Sequence, residues 1–324
     1  MSSTTTTPPG AIVGPQTPRS RLPAFMSGGG WQWLAFTGPA ILLLLVFLVY
    51  PTVWTIVLSF YEGRGRSLFR EFVGLENYTR LFTEDRRFLD LNEFPPGGAI
   101  WNNVLWAILY TGLCLIFGLL IAVLASRVRY ESIVKAVIFL PMAIAATAVA
   151  LIWKFVYSPN PNLGVINAVL DGISVTPIPF LGRESTVNYA LIFANVWASA
   201  GFAMVVLSAA LKGISQEVIE AARTDGATEW DIFRRIQFPL LSLPISVVTV
   251  WLLINVIKLF DLIYIATAGG PNGQSRVIGY FMFTETFEGG RYGYGSAIAV
   301  VMLLLIIPIM AFNIKRFRSE AVQG

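Results

Sequence analysis

The sequence predicts an all-α membrane protein with six transmembrane helices, and three observations carry that prediction. Of its 324 residues, 55% are hydrophobic and only 13% charged, whereas a soluble domain has roughly 45–50% apolar and about 25% charged residues. The charge deficit decides, because surface that faces lipid cannot carry ions cheaply. Second, the apolar residues fall in runs long enough to cross a bilayer, for which about 20 mostly apolar residues are needed. Third, the remaining positive charge is sorted into alternate connections between those runs.

The elements follow in order. Residues 1–30 are rich in Thr, Ser, Pro and Gly, a composition that cannot bury enough apolar surface to fold, so a disordered tail is expected. The tail lacks an apolar stretch followed by a small-residue cleavage site, so the first span is read as an uncleaved anchor. The spans are placed at 33–60, 102–125, 134–157, 188–211, 240–264 and 294–313, within a membrane region of 31–318 and before a short tail at 319–324. Pro39, Pro51, Pro141, Pro244 and Pro308 fall inside them. Such prolines are tolerated where neighbours satisfy the freed carbonyls, and kinks are expected there.

Loop charge orients the chain. Arg19 and Arg21, then Arg127, Arg129 and Lys135, then Lys212, Arg223, Arg234 and Arg235, then Lys315, Arg316 and Arg318 all lie on one side of a six-span arrangement. The short opposite loops carry only Arg183, Arg276 and Arg291. The positive-inside rule then makes both termini and the 212–239 loop cytoplasmic, and the 61–101 loop external. Six arginines in that external loop are offset by seven acids, and long external loops weigh less in the rule.

Composition also excludes chemistry. There is no histidine and a single cysteine, Cys114, so histidine catalysis, histidine–metal ligation and an intrachain disulfide are ruled out. No Gly-x4-Gly-Lys-Ser/Thr phosphate loop occurs. The cluster Gly269-Gly270-Pro271-Asn272-Gly273 lacks the lysine and reads as an external turn. The chain is therefore not expected to be an enzyme, to bind a cofactor or metal, or to contact nucleic acid.

The segment Glu217–Pro239 is a charged, helix-forming island between two apolar spans. Ser215 is placed to cap a first short helix, with Glu217 in its first turn. Gly226 falls where that helix must end, since glycine enters the left-handed conformation at no steric cost. Thr228 with Asp231 reads as a capping box opening a second helix. Glu229 and Asp231 near its start and Arg234 and Arg235 near its end suit the helix dipole. Pro239 closes the segment. The caps predict two short helices hinged at Gly226, and by themselves they leave a solvated linker and a docking surface both open.

Glu220-Ala221-Ala222, then Gly226 after three residues, then Ile236 after nine more, then Pro239, resembles the EAA motif of permease subunits of ABC importers. Phe238 stands where that motif has leucine. Phe72-Val-Gly-Leu-Glu-Asn-Tyr78, Phe260-Asp-Leu-Ile-Tyr264, Thr267-Ala-Gly-Gly-Pro271 and Tyr294-Gly-Ser-Ala-Ile-Ala299 resemble segments of the carbohydrate-uptake type, the maltose, α-glucoside and glycerol-phosphate group. The resemblance implies a type I ABC importer permease-like fold with a two-helix cytoplasmic coupling loop. It implies a place in the cytoplasmic membrane of a bacterium or archaeon. It further implies partners: a second permease in a heterodimer, a dimer of cytoplasmic ATPase subunits that use ATP and Mg, an extracytoplasmic solute-binding protein, and a sugar. Glu220, Ala221, Ala222, Asp225, Gly226, Ile236 and Pro239 would form the ATPase-coupling surface. Glycerol phosphate is the alternative cargo.

Polar residues deep in spans are candidates for the substrate pathway. Asn195, Asn255, Lys258 and Asp261 qualify. Asn255 with Lys258, and Lys258 with Asp261, share a face if one helix runs through them. Trp197, Trp251 and Tyr264 are candidate stacking partners for sugar rings. An ion-coupled secondary transporter would predict intramembrane acidic pairs and inverted repeats; Asp261 is the one deep acid, and no repeat is apparent.

Overall fold

The computed structural model describes residues 30–65, 67–92 and 97–321. The predicted disordered tail at 1–30 and the final residues 322–324 lie essentially outside that range. The chain divides into two units, Met1–Val53 and Trp54–Gly324.

The described part of the first unit is a single apolar helical run. Helix α1 (Gly30–Leu44) passes through a widened π turn, Leu45–Val49, into α2 (Tyr50–Leu58), whose second residue is Pro51. A proline ring clashes with the carbonyl four residues earlier, here Phe47, and a π turn moves that carbonyl aside.

The second unit is built around two long helices, α4 (Gly98–Ala125) and α8 (Glu184–Lys212). Small residues bring them together: a Cβ on Gly118 would lie 2.5 Å from the Ala203 Cβ and 3.0 Å from the Met204 nitrogen. Without a hydrophobic drive between helices in lipid, such close backbone approach is what dispersion packing needs. The core gathers on this pair, with Trp106, Tyr110, Cys114, Leu191 and Ala203 buried alongside Val248 and Leu252. Helix α15 (Tyr292–Ala321) contains Pro308 and packs against α12 (Ser242–Ile257).

Among the described residues, four helices are long and apolar enough to cross a membrane: Phe36–Leu58, Gly98–Ala125, Glu184–Lys212 and Tyr292–Arg316. Two bent pairs raise the number to six if each is one span. The span predicted at 134–157, with a kink expected at Pro141, is broken outright. Helix α5 (Glu131–Phe139) gives way to a 3₁₀ turn, Leu140–Ala143, and α6 (Ala146–Val156) leaves at 100°. Pro141 cannot donate to the α-helical ladder, and the ladder ends in that turn.

The predicted span at 240–264 is likewise divided. The helical run Glu229–Leu240 bends by 62° into α12, which stops at Ile257; after a break, α13 (Asp261–Ala266) follows. On the side predicted to be external, β1 (Tyr61–Arg64) pairs antiparallel with β2 (Ser67–Phe72), a small addition to the all-α expectation. Short helices α3 (Glu76–Thr79), α7 (Val165–Gly172) and α14 (Ile278–Phe283) complete that side.

Candidate coupling surface and translocation lining

The polar island forms two short helices. Helix α9 (Gln216–Thr224) starts after Ser215, which occupies the cap position with extended ψ of 128°, but its side chain makes no cap bond. The expected Ser215 cap is therefore a cap in place only. At the other end Gly226 sits at φ +82°, its N–H donates to the Arg223 carbonyl at 3.0 Å, and the Ala227 N–H donates to the Ala222 carbonyl at 3.0 Å. These are the two bonds of a complete Schellman closure.

Thr228 then accepts from the Asp231 N–H at 3.2 Å, while its hydroxyl donates to the Asp231 carboxylate at 2.5 Å. That opens α10 (Glu229–Ile232), which continues through a π turn, Phe233–Gln237, into α11 (Phe238–Leu240). Pro239 lies inside this run rather than closing it. The carbonyl it would strike, that of Arg235, lies in the π turn, as Phe47 does before Pro51.

Buried Ile219 and Ile232 anchor the island, and Ala222 and Ile236 are half-buried. Glu220, Ala221, Asp225, Gly226 and Pro239 are exposed. Among the described residues, no ion pair within 4.0 Å engages Glu220 or Asp225. The island thus turns the motif's charged and small residues outward.

Its links to the spans are ionic. Glu229 accepts from Arg223 at 2.9 Å and faces Arg127, from the turn after α4, at 3.5 Å. Glu131 faces Lys212 at 2.9 Å and also pairs with Lys135, which donates to the buried Ser208 hydroxyl. Two cavities flank the Arg127–Glu229 pair. One, of about 330 Å³, is polar and reaches Glu131, Lys212 and Arg223; the other, of about 400 Å³, is apolar, between Ile116, Leu120, Trp230 and Phe233. None of these ionic partners was a sequence-based site candidate: the basic ones entered only the loop-charge pattern, Glu229 only as an acid near a helix start, and Glu131 not at all.

The substrate-pathway candidates separate. Asn195 and Trp251 line one cavity of about 220 Å³, with Pro141, Ile144 and Ser199, at the break between α5 and α6. Trp251 packs on Phe202 with centroids 4.2 Å apart and ring planes tilted by 34°. Ser199 was missed: a serine in an apolar helix gives no signal until its face is known. Trp197 points elsewhere, edge-on to Trp153 at 5.8 Å, and lines a different cavity with Phe117 and Val137.

Asn255 donates to the Trp251 carbonyl of its own helix at 2.8 Å. Lys258 is the C-terminal cap of α12 and Asp261 the first residue of α13, both exposed. The assumption that one helix carries Lys258 and Asp261 on a shared face fails at this break. Among the described residues, no ion pair within 4.0 Å joins the two. Tyr264 stacks on Phe260 at 5.2 Å.

Three asparagines that the sequence did not single out hold the 267–278 connection in register. Asn188 donates to Asn102 Oδ1 at 3.1 Å and to the Gln274 carbonyl at 2.7 Å. Asn102 donates to the Arg276 carbonyl at 2.7 Å. Asn103 donates to the Val256 carbonyl at 2.9 Å and accepts from the Ile278 N–H at 2.7 Å. Beside them, Arg87 donates to Asp85 at 2.6 and 2.9 Å and pairs with buried Glu285 at 3.0 Å, while Arg291 pairs with Glu285 and the Tyr294 hydroxyl donates to Asp85 at 2.8 Å. Burial pushes the Asp85 carboxyl upward, but the bonds from Arg87 and Tyr294 outweigh it and hold it below its ordinary value. Among the described residues, no cluster of His, Cys, Asp or Glu could hold a metal.

Membrane-length helices that carry, between two of them, a capped polar loop with its motif face outward define the permease class of membrane protein. The chain belongs to the family of binding-protein-dependent transport system inner membrane components, whose sequence profile matches residues 114–314. It is 43% identical over 88% of its length to the osmoprotective compounds uptake permease protein GgtC of Synechocystis, covering 98% of that protein. It is 40% identical over 89% of its length to the alpha-glucoside transport system permease protein AglF of Rhizobium meliloti, covering 83% of it. A chain of a bacterial ABC transporter that imports the polysaccharide alginate matches with a TM-score of 0.74 at 24% identity, over 89% of this chain and 96% of that one. That likeness shows the fold. The resemblance read from the EAA motif therefore holds: the chain is a transport component of the inner membrane, and the ion-coupled alternative falls.

Proposed function

We propose that this chain is one permease subunit of an ATP-driven, binding-protein-dependent sugar importer, forming half of the translocation pathway. The observation that carries the reading is the coupling loop: Glu220, Ala221 and Asp225 are exposed on a helix closed at Gly226 by two backbone bonds. A lever must be stiffer than what it moves, and a helix closed in this way transmits force where a coil would absorb it. In this reading an ATPase dimer grips Glu220–Gly226, ATP and Mg stay with that partner, and a second permease completes the pathway. An external binding protein delivers the solute, and both termini face the cytoplasm. Asn195, Trp251, Asn255, Lys258, Asp261 and Tyr264 border the pathway; Trp197 is the weakest member, because it lines a separate cavity.

A sugar is favoured by the names of relatives, the AglF protein above and the trehalose/maltose transport system permease protein MalF of Thermococcus litoralis, 30% identical over 87% of this chain. Trp251 beside Asn195 suits a ring with hydroxyls on its edge and C–H groups on its face. A second reading, an osmoprotective compound, rests on the Synechocystis relative at 43% identity. The deciding experiment is a ligand screen of the binding protein encoded beside this chain, followed by uptake of the best ligand. Sugar binding with uptake abolished by Glu220→Lys supports the proposal. Uptake undiminished in both Glu220→Lys and Gly226→Pro would overturn the coupling role.

A further inference from the structure

The short helix α7 is built inside out. Its inward side is held by a polar residue: Asn167 is fully buried, donating to the Ser158 carbonyl at 2.7 Å and the Ile178 carbonyl at 3.0 Å, and accepting from the Ile178 N–H at 2.7 Å. Its outward side is apolar. Val165 and Val169 are four residues apart, hence on one helix face, and Ile173 follows at the C-terminal cap; the three are 64%, 63% and 66% exposed. Leu163 and Val175 extend the patch at 62% and 42%. From 157 to 183 the only charged residues are Asp171 and Arg183. A helix facing water carries its polar residues outward, and an apolar patch of this kind marks an interaction surface.

The height of the patch is fixed by its tethers. Ser158, which Asn167 holds, lies two residues past the end of α6, and the neighbouring Tyr157 hydroxyl donates to the Ala190 carbonyl at 3.0 Å. Helix α8 has 29 residues, about 43 Å at 1.5 Å per residue, against a hydrocarbon core of about 30 Å. For an upright helix the overhang at either end is at most about 13 Å, and Ala190 lies six residues, about 9 Å, from the α8 start. Ala190 therefore falls between about 4 Å outside and about 9 Å inside the hydrocarbon edge. The adjoining helix α6 exposes Phe155, and α8 exposes Tyr189 and Phe193 close to Ala190 in sequence.

We infer that Val165, Val169 and Ile173 seat α7 in the headgroup region of the outer leaflet, so that the partner of this face is the lipid surface. A helix with its apolar face buried about 5–10 Å into that boundary is a stable arrangement. The seat adds a hold at the far end of α6, beyond the 100° bend of the α5–α6 pair and its packing on α8 and α13.

The test uses the full chain in phosphatidylcholine nanodiscs, with a thiol-reactive fluorophore on Val169→Cys or Ile173→Cys. Native Cys114 is buried, and unlabelled wild type checks that it does not react. Glu71→Cys, on the exposed β2 strand, is the water-facing control. Lipid with a nitroxide headgroup should quench the Val169 and Ile173 probes at least threefold more than the Glu71 probe, and aqueous iodide should do the reverse. Iodide quenching as strong as at Glu71 would overturn the inference. So would shielding from both quenchers, or shielding that appears only when the binding protein is added, since a protein would then be the partner.

Discussion

Gly226 offers the sharpest test of a rigid coupling loop, because its environment isolates one physical variable. A Cβ built there meets nothing within 4 Å, so a substitution adds no clash, and only the backbone conformation at φ +82° matters. Alanine in the left-handed region costs about 1–2 kcal/mol; asparagine, which visits it more readily, costs less. Proline is fixed near −65° and has no N–H, so it removes the bond to the Arg223 carbonyl and misdirects the bond from Ala227; the cost is about 3 kcal/mol or more. With about 1.4 kcal/mol per factor of ten, Gly226→Ala lowers the ratio of closed to open hinge roughly five- to thirty-fold, and Gly226→Pro by over a hundred-fold. The direct assay is hydrogen exchange of the peptide covering 219–232, whose Gly226 and Ala227 amides are held by the closure. Exchange should rise in the order Gly, Asn, Ala, Pro, and ATP-driven uptake should fall in the same order at constant membrane abundance. If alanine and proline lose uptake equally, or if exchange is unchanged in the alanine variant, hinge geometry is not what the loop contributes.

Other perturbations follow from the same geometry. Asn188→Ala should lower the thermal midpoint in detergent, because it strips the Asn102 side chain and the Gln274 carbonyl of a buried donor, at about 1–3 kcal/mol for each unsatisfied group. Trp251→Ala should reduce sugar uptake at least tenfold, while Trp197→Ala, on a separate cavity, leaves it within twofold; equal losses would argue against the Asn195–Trp251 lining. Asp85 is held below its ordinary value by Arg87 and Tyr294, so its stabilisation is complete above the unfolded pKa of 3.8 and is lost as pH falls through the folded value. Arg87→Ala should shrink that acid-side loss in a thermal-melt series from pH 6 downward, and an unchanged pH profile would deny Asp85 its role.

What the sequence made legible was local, and what it hid was set by partners far along the chain. The closure at Gly226 and the Thr228–Asp231 box each depend on residues within five positions, so their residue types specify them. Pro141 marked a weak point by its missing N–H, but the 100° angle depends on α8: Gly201 has no Cβ, which would otherwise lie 2.6 Å from the Ile138 carbonyl, and so α5 can press its end against α8. The shared face of Lys258 and Asp261 relied on one continuous helix, and Lys258 instead caps α12. Asn102, Asn103 and Asn188 sit near helix ends, where a polar residue is expected to meet water. They prove to be buried because a loop more than 80 residues away folds over them and offers bare carbonyls. Trp197 and Trp251 look alike in sequence, and only the face each helix turns to the α5–α6 break tells them apart. That break joins both sides of the problem: the bend that the sequence could not dimension opens the 220 Å³ cavity, and beyond it α7 adds a hold on the far end of α6 by pinning Asn167 inward and turning its valines out.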